Sequence, residues 1–352
     1  GGIRLDGSTV SLERTILTEN EVNGSGGGLF ASDATVTLLR SVVERNLAMD
    51  GSGGGLYLSG SRGAMRSTRI EGNSATGSGG GINLYQSDPL IDNCMISQNL
   101  ANGQFGGGMS LDASSPDIVN TRILVNKAAL MGGGMYLFDS SPSIRNVLFQ
   151  ANGATGVTGM GGGALFISDS SPTLLNCVLV NNTTTLEPGT PGLGDGLYLH
   201  GALSQPLLEN NILAYNLEYN FYNDLLSPGN PTLLYNDFYN PEGTPNTNLL
   251  LGGTNRTQEP GFQAYESGMP IDFHLLLQSP LVDAGDPVLQ DVDRSGSDMG
   301  TYGGKGGDAW NLDTDCAPDY FWPGTLEDAP TGFDATQYDC DDLDPEHAET
   351  CP

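Results

Sequence analysis

The chain has 352 residues, with 51 glycines, 20 prolines and a formal net charge of −29 from 42 acidic against 13 basic side chains. That balance excludes nucleic acid and anionic membrane as partners, because both need Lys and Arg to neutralise phosphate. Hydrophobic residues make up 38% of the chain, enough for a core, and no apolar run approaches the roughly 20 residues that span a bilayer.

A glycine-rich triplet recurs at 26–28, 53–55, 79–81, 106–108, 132–134 and 161–163, with a degenerate copy at 194–196 and a truncated one at Gly1-Gly2. An asparagine keeps the same beat at Asn20, Asn46, Asn73, Asn99, Asn126, Asn152, Asn182 and Asn216. From the third full repeat a proline joins it at Pro89, Pro116, Pro142, Pro172 and Pro206. Three markers in register define a repeat of about 26 residues, the range of stacked solenoid units.

Each repeat carries two strand signals of period two. The first follows the glycines, with inward pairs Leu29/Ala31, Leu56/Leu58, Ile82/Leu84, Met109/Leu111, Met135/Leu137, Ala164/Phe166 and Leu197/Leu199. The second follows the proline, with inward pairs Ile91/Ile96, Ile118/Ile123, Ile144/Phe149 and Leu174/Leu179. Asn93, Asn120, Asn146 and Asn176 interrupt it, and Asn tolerates the left-handed conformation of a sharp corner and can stack in a hydrogen-bonded ladder. Short strands, corners every few residues and a constant coil length predict an all-β chain. The expected fold is a right-handed, single-stranded parallel β-helix of eight or more coils, stacked at about 4.8 Å per rung. The helix is expected over residues 1–250, with an irregular cap at 251–305 and an acidic, cysteine-containing tail at 306–352. The chain opens in mid-repeat, which we read as processing.

The Gly-Gly-Gly-Leu-Tyr-Leu and Ser-Ser-Pro-x-Ile-x-Asn stretches resemble the right-handed β-helix repeats of bacterial secreted proteins, including pectate-lyase-like and polymorphic outer-membrane-type families. Such repeats specify fold far better than function. Ser279-Pro280-Leu281-Val282-Asp283-Ala284-Gly285-Asp286 with Asp298-Met299-Gly300-Thr301-Tyr302-Gly303-Gly304 resembles the choice-of-anchor Q segment that closes many such helices. Trp322-Pro323-Gly324 and Asp339-Cys340-Asp341-Asp342-Leu343-Asp344-Pro345 are similar to the metal-binding repeat named after MopE. The Asp-rich lead-in is broken up here, and Pro345-Glu346-His347-Ala348-Glu349 replaces the usual Pro-Gly-Ala-Glu.

Two stretches have the oxygen donors that a hard cation needs. Asp291, Asp293, Ser295 and Asp298 alternate before and around Gly296. Asp339, Asp341, Asp342, Asp344 and Glu346 place five carboxylates within eight residues, where their repulsion favours a bridging cation. Ca²⁺ is the expected ion; His347 and the tail cysteines would suit a softer metal. Cys340 and Cys351 are spaced for a local disulfide, whereas Cys94 and Cys177 share one slot three coils apart and read as core. An outward row, Arg4, Phe30, Tyr57, Asn83, Ser110, Tyr136, Leu165 and Tyr198, is rich in aromatics. Phe30, Tyr57, Tyr136 and Tyr198 could meet a sugar or a partner subunit, although stacked rings also suit any sheet surface.

Enzyme signals are thin. The chain has two lysines, Lys127 and Lys305; Arg122 and Arg145 are expected one turn apart on an outward row with only Asp92 and Asp117 nearby. The helical part shows no Asp-Asp pair, and His200, His274 and His347 are scattered. The expectation is therefore an extracellular, secreted structural or adhesin protein, rigidified by calcium, associating end to end into filaments or touching a cell surface or polysaccharide. The alternative is a carbohydrate-binding or polysaccharide-degrading β-helix.

Overall fold

A computed structural model describes residues 1–156, 160–186, 190–241, 244–247, 249–264, 272–291 and 295–304. Among them every element is a strand, and none is a helix long and apolar enough to cross a membrane. The strands form a parallel solenoid. Sheet A gathers ten, starting Ile3–Asp6, Leu29–Ser32, Leu56–Ser59, Ile82–Tyr85, Met109–Asp112 and Met135–Phe138 and continuing through Leu165–Ser168, Leu197–His200, Tyr219–Asn223 and Thr244–Thr247. Sheet B runs from Thr9–Glu13 to Thr232–Leu234 and sheet C from Ile16–Thr18 to Asp237–Tyr239, nine strands each. Sheet D, of two-residue strands in most coils, begins at Glu21–Val22 and ends when Thr190–Pro191 pairs antiparallel with Thr183–Leu186.

The repeat markers each have a structural job. The corner asparagines adopt positive φ, 49° at Asn93, 48° at Asn120, 52° at Asn146 and 53° at Asn176, as a sharp bend between sheets B and C demands. The buried ladder is made by the other set. Asn46, Asn73, Asn99, Asn126, Asn152 and Asn182 each donate backbone N–H and Nδ2 to the Oδ1 of the next coil, at 2.9 to 3.1 Å. Gly2, Gly28, Gly55, Gly81 and Gly108 lie against these side chains and the next coil's backbone, where a Cβ would come within 3.0 Å of a backbone oxygen. The inside is apolar from Leu17 through Leu213 to Phe238.

One register differs from the sequence reading. Met135 pairs with Leu165 and Leu137 with Ile167, so Leu165 and Ile167 point inward and Phe166 points out. The positive-φ glycine of that coil is Gly162, matching Gly132, and Ala164 occupies the third glycine position. The earlier assignment of Ala164/Phe166 as inward and Leu165 as outward is thus corrected by one residue. Arg122 and Arg145 also do not share a row. Arg122 lies in sheet C opposite Met95 and Leu148, and Arg145 lies in sheet B opposite Val119.

The segment expected as an end cap does more than close the end. Asn255 extends the Asn211–Asn236 ladder across the last coil at 3.1 Å, and Leu249 packs on the core. Beyond it the chain folds back along the flank. Phe262, Phe273, Leu281, Ala284 and Met299 cover the outer side of sheet C at Leu148, Val178, Val180, Ile212 and Ala214. The corner asparagines hold this strap. Asn146 Nδ2 donates to the carbonyls of Thr301 (2.7 Å) and Gly303 (3.0 Å), and Asn176 Nδ2 to Asp298 (3.1 Å). Asn210 Oδ1 accepts from the Asp286 amide at 2.8 Å.

Candidate functional site

Sheet A presents two outward columns. The first holds Arg4, Phe30, Tyr57, Asn83, Ser110, Tyr136, Phe166, Tyr198 and Tyr222 in continuous register. Its rings stack along the rod at centroid separations of 5.3 Å (Phe30–Tyr57), 5.4 Å (Tyr136–Phe166), 5.1 Å (Phe166–Tyr198) and 5.2 Å (Tyr198–Tyr222). Arg4 lies over Phe30 at 4.4 Å and pairs with Asp6 at 3.1 Å. Rings stacked on one another offer solvent their edges rather than the faces that sugars prefer. The upper end is closed altogether: Phe166 and Tyr198 are each 2% exposed, packed by Met131, Met160, Leu193 and Tyr219. Of the four predicted contact residues, Phe30, Tyr57 and Tyr136 are half-buried and Tyr198 is covered.

The column carries no ring at Asn83 and Ser110, and the exposed rings of the face lie beside that gap. The inward neighbours Ile82, Leu84, Met109 and Leu111 are core, so Asn83 and Ser110 point outward. They are 7% and 5% exposed, and among the described residues neither side chain makes a hydrogen bond. Beside them the second column reads Tyr85, Asp112, Phe138 on successive rungs. Tyr85 is 39% and Phe138 42% exposed, and among the described residues neither stacks on another ring. Phe105, from the loop before the Met109–Asp112 strand, stacks on Tyr136 at 4.5 Å.

The electrostatics of the gap are negative and uncompensated. Arg4 is the only Lys or Arg in the sheet A strands among the described residues, and it sits four coils below Ser110 on the first rung. Burial raises the Asp112 carboxyl above its usual range, and the charge of Asp139 raises it further. The Tyr57 hydroxyl is pushed up by burial, then by Tyr85 and Asp112; the Tyr136 hydroxyl by burial, then by Asp112 and Asp169. The helix therefore does contain neighbouring carboxylates, Asp112 and Asp139, where the linear sequence showed no pair.

Other predicted sites resolve differently. Asp291 Oδ2 accepts the Asp298 amide at 3.0 Å and its Oδ1 accepts the Gly304 amide, while Asp298 Oδ1 accepts the Asp283 amide at 2.7 Å. The fold brings Asp291 and Asp298 together around the strap's backbone, and Ser295 hydrogen-bonds within it. Asp293, Asp339, Cys340, Asp341, Asp342, Asp344, Glu346 and Cys351 lie outside the described residues. Among those described, no three His, Cys, Asp or Glu side chains group as a metal site. Cys94 and Cys177 are buried free thiols, pushed up to about 12 by burial. Arg145 pairs with Asp117 at 3.0 Å and Arg66 with Asp92 at 2.9 Å, a surface charge ladder. His200 Nδ1 and Asp224 Oδ2 meet at 2.6 Å near the covered end of sheet A.

Sequence reasoning followed one column and so passed over Tyr85, Asp112 and Phe138. The signal was available: they are the fourth residues of their strands, outward by the same alternation that placed Tyr57 and Tyr136. Asp139 was harder, since its exposure comes from a positive-φ corner (48°) rather than from strand alternation.

Comparison with curated proteins and with solved structures yields no match. The family model described as right handed beta helix region matches residues 1–213. That span holds the glycine and proline beats and the asparagine beat through Asn182, and with the parallel solenoid that carries them the chain belongs to the right-handed β-helix family.

Proposed function

We propose that the chain is a rigid extracellular surface protein that holds carbohydrate along the outward face of sheet A. One observation carries this reading: the aromatic column breaks at Asn83 and Ser110, leaving Tyr85 and Phe138 exposed and unstacked two rungs apart. Two rungs are about 10 Å, room for a sugar ring beside either aromatic face. The family supports surface and polysaccharide-related roles in general. A rod hydrogen-bonded coil to coil through its asparagines supplies a stiff platform. We read the face as one that binds rather than cuts.

Affinity electrophoresis through gels containing polysaccharide tests this, comparing the natural chain with a Tyr85→Ala/Phe138→Ala double variant. Retardation of the natural chain that the double variant loses is the expected result. Equal mobility of both would overturn the reading, and release of reducing ends would recast the face as an active site around Asp112 and Asp139.

Calcium belongs to the same proposal, as the ion that screens the acidic C-terminal third and tightens the strap and tail. Excess EGTA should then lower the melting temperature, and an unmoved midpoint would remove calcium from the account. End-to-end association is the accompanying proposal, tested by light scattering at high calcium, where monomers alone would count against it.

A further inference from the structure

We propose that the gap in sheet A is a socket for an organic cation, an alkylammonium or a protonated amino-sugar nitrogen, seated beside Asp112 between Tyr85 and Phe138. This rests on the reading of that face as ligand-binding and names the chemistry it selects. Four features of the gap converge on a cation.

The walls come first. Tyr85 and Phe138 flank Asp112 on the same column, one rung to either side. Aromatic rings attract a cation through their negative faces, most strongly when water is excluded. The other rings of sheet A are largely committed to one another in stacks; these two are not.

The charge comes second. Among the described residues Asp112 has no ion-pair partner, and the neighbouring Asp139 adds to the local negative potential. An anionic sugar would meet two carboxylates and no base on sheet A, since Arg4 is four coils below Asp112 and engaged with Asp6 and Phe30. Uronate polymers are therefore disfavoured, and a positively charged ligand relieves the repulsion between Asp112 and Asp139.

The floor comes third. Asn83 and Ser110 are more than nine-tenths buried and point outward into the gap, and among the described residues neither side chain has a hydrogen-bond partner. Their polar tips are not sealed from solvent, so the amide and hydroxyl can exchange water for a donor or acceptor on a ligand. A protonated amine or the hydroxyls around it would supply both.

The position comes last. Tyr57 closes the gap from below, on the same column as Asn83, and its hydroxyl feels the charge of Asp112. Rings, carboxylate and polar floor thus lie side by side on one outward face across four coils that the fold holds in fixed register.

The socket is tested by isothermal titration at constant ionic strength with four probes: tetramethylammonium, phosphocholine, a glucosamine oligosaccharide and its N-acetylated counterpart. The amine-bearing oligosaccharide is expected to bind at least tenfold more tightly than the acetylated one. Asp112→Asn should lower affinity for the ammonium probes at least tenfold with an unchanged melting temperature. That substitution alters the net charge of −29 by one, so general attraction of cations would barely change. Tyr85→Ala and Phe138→Ala should each weaken binding several-fold. Equal binding of both oligosaccharides, lost in the Tyr85 and Phe138 variants, would overturn the cation socket and leave the carbohydrate face standing. Binding of tetramethylammonium or phosphocholine without either oligosaccharide would keep the socket and overturn the carbohydrate source. No binding of any probe would overturn both.

Discussion

Replacing Asn126 with Ala is expected to damage the rod more than removing any surface charge. Asn126 is fully buried, and its side chain makes four hydrogen bonds. Nδ2 donates to the Ile96 carbonyl at 2.8 Å and to Asn152 Oδ1 at 3.0 Å, while Oδ1 accepts the Asn99 amide and Asn99 Nδ2, both at 3.0 Å. Truncation leaves the Asn99 amide with no acceptor in a site that water reaches poorly. Asn152 Oδ1 keeps one bond, from the Asn126 amide, and Asn99 Nδ2 keeps its bond to Ile70. One orphaned buried donor costs about 1–3 kcal/mol and each other lost bond about 1 kcal/mol, so the variant should lose about 4–6 kcal/mol. Urea denaturation gives the total, and amide hydrogen exchange at Asn99 gives the local part. If Asn99 exchanges as slowly as before and stability falls by less than about 1 kcal/mol, the ladder does not hold the coils together.

Three further outcomes follow from groups described above. Asp237 is buried with Oδ2 unpartnered, and burial raises its carboxyl to about 7 against the Gln258 amide and Arg256, which act to lower it. A raised folded-state pKa favours the fold while protonated, so its stability is full below about pH 4 and is lost as pH rises through about 7. Melting temperatures from pH 4 to 8 should fall more steeply for the natural chain than for Asp237→Asn; parallel slopes would exclude Asp237 as the cause. Asn176→Ala should free the strap, seen as faster exchange at 298–304 with sheet A unchanged, and unaltered exchange there would show that apolar contacts suffice. Cys94 and Cys177 should react with iodoacetamide only on unfolding, and rapid labelling of either one in the native chain, located by peptide mass mapping, would contradict their burial.

Much of the fold was written in the three-marker beat, because a solenoid imposes the same steric demand at the same place in every coil. The corner asparagines were legible for that reason. Which asparagines form the buried ladder was not, since both sets recur with the same period and only the coil's curvature decides which faces in. The slip at Phe166 arose where four small residues, Gly161 to Ala164, offer two triplets, and only the backbone at Gly162 selects between them. The strap was seen as a closing segment but not as a flank covering. It is held by its own backbone carbonyls and by apolar residues with no regular spacing, so nothing local in the sequence points to Asn146 or Asn176. The candidate site was half legible: the first column was, and the second needed the pairing of Tyr85, Asp112 and Phe138 across coils.

The asparagine ladder also bears on how such a chain changes length. Each rung offers the same donors upward and the same acceptor downward, so any coil's asparagine can meet any other's. Duplicating or deleting one whole unit between two ladder positions rejoins identical bonds, and the core columns meet residues of the same kind. Length is therefore a property that unequal recombination can adjust in steps of one coil without redesigning a joint. The gap at Asn83 and Ser110 lacks this freedom, because its parts come from coils that must stay neighbours.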